Sequence, residues 1–305
     1  MTLDQAKDRP DLAALAKEAR WQVIKTVAGS KAGHIGGPLS MMDLLVTLYF
    51  DELDIRPEEP RWADRDRFVL SKGHAAIGLY AVLALRGYLP VDELPTFDKS
   101  GSRLQGHPDA TRLPGLDSST GSLGQGLSFG VGVALGAQMA GKDFHTFVML
   151  GDGEIQEGMV WEAVQVAARY RLTNITAILD RNGLQQFSVP SDEQSAPTDR
   201  GDRRDPWSGV DVAAVFTAFG WRVLEIDGHN FDQIKHAYAL ARAGDPQGRP
   251  TVIVAQTLKG KGLSLSEGTY TWHSIVPTAD ELAQARRELD ATHPEQATMT
   301  NGARA

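Results

Sequence analysis

The most constraining stretch of this chain is residues 144–184. It sets a strand, an acidic glycine turn, a helix, a second strand and an asparagine in succession. Residues 144–150 form an apolar run that ends in Gly151-Asp152-Gly153-Glu154. Residues 158–171 place Met159, Val160, Val164, Val166 and Ala167 at helical spacing, and residues 174–179 are apolar again before Asp180-Arg181-Asn182-Gly183-Leu184. The alternation predicts one β-α-β unit, so Asp152 and Asn182 fall at the carboxyl ends of neighbouring parallel strands. In open α/β sheets that edge is where ligands bind.

The two turns suit a hard cation and a diphosphate. Asp152 offers a carboxylate, Asn182 an amide carbonyl and Leu184 a main-chain carbonyl, which leaves an octahedral magnesium free for two phosphate oxygens and a water. Gly151 and Gly153 let backbone come close, and the Gly153 N–H is placed to donate to phosphate. A lone Gly-Asp-Gly is a common βα turn; the turn, helix, strand and asparagine together narrow the reading.

The remainder of the chain alternates in the same way. Helices are expected over residues 11–27, 40–51, 74–86, 126–141, 211–219 and 231–242, with strands over 68–70, 221–226 and 251–255. The expected fold is α/β: a doubly wound, mainly parallel sheet with helices on both faces. Residues 1–290 read as one domain and 291–305 as a polar, mobile tail. Between residues 185 and 209 all periodicity is lost, which marks a functional or disordered loop. Three histidines sit in glycine-rich surroundings: His34 in Gly33-His34-Ile35-Gly36-Gly37-Pro38, His74 at a helix start after a strand, and His107 in Gly106-His107-Pro108. A helix start favours anions through free N–H groups.

Composition excludes several classes. The chain has 305 residues, no cysteine and a net charge of −8. Disulfide frameworks and thiolate chemistry are absent, which fits a cytoplasmic protein. No apolar run reaches a membrane span and no basic cluster suits nucleic acid. An anionic substrate has to be drawn by local Lys, Arg and His groups.

Gly-Asp-Gly with an asparagine thirty residues on resembles the thiamine-diphosphate signature. The wording Gly151-Asp152-Gly153-Glu154-Ile155-Gln156-Glu157-Gly158 with Trp161-Glu162-Ala163 is similar to transketolase in particular. The three histidine loops and Thr120-Gly121-Ser122-Leu123-Gly124-Gln125-Gly126 also resemble that family, so the likeness covers about residues 10–290. The resemblance implies that His34 and His107 face a sugar, and that His74 and Gly153 hold the diphosphate. It places Gly121 and Leu123 against the cofactor rings, and counts Gly151 and Asn182 among the cofactor-binding residues. It assigns Asp152, Asn182 and the Leu184 carbonyl to the metal (Mg2+, with Ca2+ or Mn2+ as substitutes). It implies that His273 touches diphosphate and substrate, and that Glu157 and Glu162 join two active sites across a subunit interface.

The implied reaction transfers a two-carbon ketol unit between sugar phosphates. The chain stops where a full transketolase would begin its pyrimidine-binding domain. The resemblance therefore implies the N-terminal subunit of a split transketolase. Its activity would need a C-terminal subunit, in a dimer of heterodimers. Gln186-Phe187-Ser188 and Ser122 depart from the family's usual wording, and the 185–209 loop is expected to order against the partner or an acceptor. The α subunit of a 2-oxo-acid dehydrogenase shares the Gly-Asp-Gly…Asn device without the histidine loops. Deoxyxylulose-phosphate synthase has histidine loops that read differently. A non-catalytic cofactor-binding scaffold is the third alternative.

Overall fold

A computed structural model of the chain describes residues 10–186 and 205–291. Its frame is a five-stranded, wholly parallel sheet: β1 (Arg67–Leu70), β2 (Thr146–Gly151), β3 (Ile175–Arg181), β4 (Arg222–Asp227) and β5 (Thr251–Gln256), in the order β1-β2-β3-β5-β4. β2 is buried along its whole length, as expected of a central parallel strand covered on both faces.

Alternation along the strands sorts the core into two layers. Phe147, Met149, Ile178 and Ile253 face one side, where they meet α1 (Leu12–Ser30), α3 (Met42–Thr47), α4 (Ala76–Arg86), α8 (Phe231–Arg242) and α9 (Ala279–Ala291). Val148, Leu150, Ala177, Leu179 and Val254 face the other side, against α5 (Gln125–Met139), α6 (Gly158–Arg169) and α7 (Val212–Ala218). This is the doubly wound arrangement expected from the sequence. The register sets Gly151 opposite Asp180 and Asp180 opposite Ala255, so the ends of β2, β3 and β5 open on one edge.

Two elements differ from expectation. The helix expected over 40–51 begins earlier, as α2 (Gly36–Ser40), breaks at Met41, resumes as α3 and closes in a π turn, Leu48–Glu52. Pro38 is tolerated because it lies in the first turn, where its missing N–H has no partner to lose. α9 is an additional helix that the sequence reading does not contain. Its charged sequence masks Leu282, Ala285 and Leu289, which recur at helical spacing and pack into the first layer. A reciprocal cap starts it: Thr278 N–H donates to Glu281 Oε2 at 2.7 Å, and Glu281 N–H to Thr278 Oγ1 at 3.3 Å. Residues 187–204 of the expected loop and the tail from 292 lie outside the described residues.

The amino edge of the sheet holds a buried imidazole. His145 shares a hydrogen bond with Thr176 Oγ1 at 2.8 Å, and burial with the nearby Arg242 pulls its pKa down to about 4. The folded state thus binds this proton less tightly than the unfolded chain, whose pKa lies near 6.5. Stability from His145 is complete above about pH 6.5 and lost as pH falls toward 4, on the order of 3 kcal/mol in all. Urea unfolding at pH 7.5 and pH 5 should show a smaller acid loss for His145→Gln than for the wild type; identical losses would refute the assignment.

Candidate active site

The carboxyl ends of β2, β3 and β5 and the loops after α1 and β1 enclose a cavity of about 520 Å3. Its lining gathers His34, His74, His107, Gly121, Leu123, Gly151, Asp152, Gly153, Glu157, Asn182, Leu184 and His273. Every site residue expected from the sequence is thus in one place except Glu162, which lies on the exposed side of α6. Glu157 is also exposed, at the cavity rim, where α6 begins.

A buried ion pair underlies this cleft. Lys72 Nζ is bound to Asp180 Oδ2 and donates to the Gly37 carbonyl at 3.0 Å. Asp180 also accepts from Ser40 Oγ at 2.5 Å and from Thr257 Oγ1. Burial alone would raise the Asp180 pKa. The Lys72 ammonium and these hydroxyls outweigh it and hold the carboxyl below its ordinary value. One carboxylate thereby ties β3 to the β1 loop, α2 and the end of β5. Glu154, also buried, accepts from Ser71 Oγ at 2.5 Å, Gly124 N–H at 3.0 Å and Gly151 N–H at 3.1 Å, fastening three further loops. A Cβ on Gly73 would stand 2.7 Å from Gly121 N, so glycine there permits the His74 and Gly121 loops to touch.

The imidazoles of His34, His74 and His273 form a triangle with centroids 5.0 to 5.2 Å apart. All three pKa values are lowered, first by burial. His107 and Lys259 add to this for His34; Lys72, His273, His34 and Lys259 for His74; and Lys259, His34 and Lys72 for His273, which falls to about 3. The triangle is therefore neutral near pH 7. Lys259, which the sequence reading does not single out, is buried beside it. Its Nζ donates to His273 Nδ1 at 3.1 Å, and burial, outweighing the pull of Asp152, lowers its pKa to about 8.

The acidic turn is closed on itself. Asp152 Oδ1 accepts from Gly153 N–H at 2.8 Å, and Oδ2 accepts from Gly183 N–H at 2.6 Å and Arg181 Nη1 at 3.3 Å. The Gly153 donor expected to face a phosphate is thus engaged by its neighbour. Asn182 Oδ1 accepts from Leu184 N–H at 3.1 Å. Arg181 forms a bidentate pair with Asp205, and Trp207 Nε1 donates to the Asp152 carbonyl at 2.7 Å. These contacts bring the chain back over the turn after residue 204. Among the described residues no three His, Cys, Asp or Glu side chains cluster as metal ligands. The donor set fits a hard cation instead: one carboxylate, one amide oxygen and one main-chain carbonyl on adjoining turns. Burial and the nearby Asp180 push the Asp152 carboxyl up to about 6, so added positive charge there would be stabilising.

Comparison with known proteins shows the family. The sequence profile described as "Transketolase, thiamine diphosphate binding domain" matches residues 12–300. The chain is 39% identical over 274 residues to an apulose-4-phosphate transketolase subunit of Phocaeicola vulgatus, covering 90% of this chain and 92% of that protein. It is also 39% identical over 280 residues to a 6-deoxy-6-sulfo-D-fructose transketolase subunit of a Clostridium species, covering 92% and 96%. Transketolase from Campylobacter jejuni superposes with a TM-score of 0.81 at 31% identity, over 92% of this chain and 42% of that one. The chain thus spans nearly all of the two relatives named as subunits but about two fifths of that longer transketolase.

The buried pair gives a direct test of how the site is held. Lys72→Met should cost about 3–5 kcal/mol in urea unfolding, because it strands a buried carboxylate. Lys72→Met with Asp180→Asn should recover part of that loss. A single-variant cost below about 1 kcal/mol would place the pair with exposed salt bridges and refute its role.

Proposed function

The chain belongs to the transketolase family, as the N-terminal subunit of a split transketolase, and on that premise we propose a role for each part of its cleft. The observation that carries the reading is the meeting of the Asp152 and Asn182 turns with three imidazoles in one cavity. Asp152, Asn182 Oδ1 and the Leu184 carbonyl would hold Mg2+, with Ca2+ or Mn2+ able to substitute, and the Gly153 N–H would hold the diphosphate beside His74 and His273. Gly121 and Leu123 pass along the cofactor rings, and Gly151 keeps the end of β2 open to them. Thiamine diphosphate would supply a thiazolium ring as electron sink for cleavage of a ketose carbon–carbon bond.

The chain's own side chains bind, orient and move protons. His34 and His107 face the sugar and exchange protons with its hydroxyls. His273 lies within reach of both diphosphate and sugar. The transferred group is a two-carbon ketol unit, moved from a ketose phosphate to an aldose phosphate. The relatives named for apulose 4-phosphate and 6-deoxy-6-sulfo-D-fructose support a donor ending in an anionic group.

A second chain completes the enzyme, and the assembly is a dimer of heterodimers in the cytoplasm. Residues 1–290 act as the cofactor-binding unit. The outer surface of α5 and α6 supports the assembly: Phe129, Met139, Met159, Val166 and Tyr170 are exposed there. A Cβ on Gly132 or Gly136 would meet nothing within 4 Å. Glu157 and Glu162 lie at the start of α6 and within it, where a contact across subunits would join two sites. The dehydrogenase and scaffold readings have no comparable support, since the relatives matched over nearly their full length are transketolase subunits.

The test combines binding with turnover. Calorimetry should show thiamine diphosphate binding only with a divalent ion, and Asp152→Ala should abolish it with the circular dichroism spectrum unchanged. The chain alone should not turn over a ketose phosphate and should gain activity with the second subunit. Full activity of the single chain, or metal-independent binding, would overturn the proposal.

A further inference from the structure

The acidic turn keeps a permanent positive charge at its side. Arg181 closes β3, immediately before Asn182, and its Nη1 stands 3.3 Å from Asp152 Oδ2. Its side chain is only 13% exposed, so water screens it poorly. A guanidinium does not release its proton in a protein. The carboxylate read above as a cation ligand is therefore faced at all times by a resident cation. A set of metal ligands gains nothing from such a neighbour, which repels the ion they would hold.

Asp205 decides where that charge rests. It takes Arg181 in a two-point bond, Nη1 to Oδ1 at 2.7 Å and Nη2 to Oδ2 at 2.6 Å. Short parallel bonds of this kind are the strong form of the contact, whereas the single 3.3 Å approach to Asp152 is weak. Asp205 is itself fixed. Trp207 N–H donates to its Oδ1 at 2.9 Å, and Trp207 Nε1 donates to the Asp152 carbonyl at 2.7 Å. Gln156 Nε2 adds a bond to the Pro206 carbonyl at 3.3 Å. The guanidinium is thus shared between two carboxylates and drawn toward the one outside the acidic turn.

We propose that Arg181 and Asp205 form a built-in charge control on the acidic turn: Arg181 opposes a divalent ion at Asp152, and Asp205 holds Arg181 back from it. The inference rests on the reading of the cleft given above and adds to it the residues that set the ion's affinity. If Asp205 lost its charge, Asp152 would be the only carboxylate left bonded to Arg181 among the described residues. The guanidinium would then settle on the oxygen atoms that the ion needs. If Arg181 lost its charge, Asp152 would shed a competitor and Asp205 would add a negative charge nearby. The two residues therefore act in opposite senses, though they form one pair. A pair that served only to fasten residues 205–208 over the turn would act in one sense, since losing either member would loosen the same contact.

Calorimetry of Mg2+ binding to the full chain at saturating thiamine diphosphate tests this, repeated with Mn2+. Arg181→Met should tighten both ions about 10-fold, and Arg181→Gln, which keeps a polar end, should do the same. Asp205→Asn should weaken both about 10-fold. The double variant Arg181→Met with Asp205→Asn, whose pair is again without net charge, should return to within about threefold of the wild type. Opposite shifts that cancel in the double variant support the proposal, and any other pattern overturns it. A common weakening would make the pair a structural tie, and unchanged affinities would leave it without effect on the ion. If the wild type takes up no ion, the reading of the cleft fails and this control with it; wild-type uptake without opposite shifts removes the control alone.

Discussion

The site depends on a charge that is removed from water and then answered. Lys72 and Asp180 come from segments 108 residues apart, and both are almost wholly buried. Desolvating such a pair is costly, and the interior recovers it only through good geometry and further hydrogen bonds. Here the further bonds come from Ser40, Thr257 and the Gly37 carbonyl. They reach α2 on one side and the end of β5 on the other. The pair therefore contributes less through net stability than by specifying how β1, β3, β5 and α2 meet at one edge. Glu154 repeats the device one layer out, with Ser71, Gly124 and Gly151 as its donors.

That scaffold leaves a cleft whose polar groups answer one another without a ligand. Asp152 is occupied by Gly153, Gly183 and Arg181, and Asn182 by Leu184. Such closure keeps the buried turn satisfied and also sets what binding requires. On the reading proposed above, a cation would displace N–H donors from the carboxylate, and each displaced donor would need a new acceptor. A metal and an oxyanion arriving together would meet both demands, whereas either alone would leave one side unpaired. The lowered pKa values of the three histidines belong to the same balance: they stay neutral beside Lys72 and Lys259, and an oxyanion would relieve them all.

Much of this is legible in the residues, and the parts that are not share a cause. The β2–α6–β3 unit can be read to within about two residues because period and punctuation agree along it. The histidine loops stand out because glycine marks backbone that wraps something. Gly36 through Ser40 reads as loop because glycine and proline are poor helix formers, yet α2 is held at its end by the Ser40 bond to Asp180. α9 stays hidden because charge masks its apolar spacing. Lys72, Asp180, Glu154 and Lys259 are all visible as residues, but their roles lie in contacts across the fold. Lys259 even stands in a Lys-Gly-Lys-Gly run after the last strand. Only the three-dimensional neighbourhood separates it from Lys72: among the described residues no carboxylate is bonded to Lys259.

The surface of the molecule bears on the same question as its cleft. A parallel sheet normally hides its helices' apolar faces against itself, and α5 and α6 do so with Leu127, Val131, Val160 and Val164. Their opposite faces are nevertheless partly apolar, with Phe129, Met139 and Val166 outward. Scattered exposed apolar residues are ordinary, but two adjoining helices that both show them, over glycines with open space, form a surface suited to close packing. α6 starts at the rim of the cavity, at Glu157, and carries this surface away from it. Contact there would therefore reach the acidic turn directly, through one rigid helix. The wall of the cleft thus continues, through α6, into a face suited to close packing.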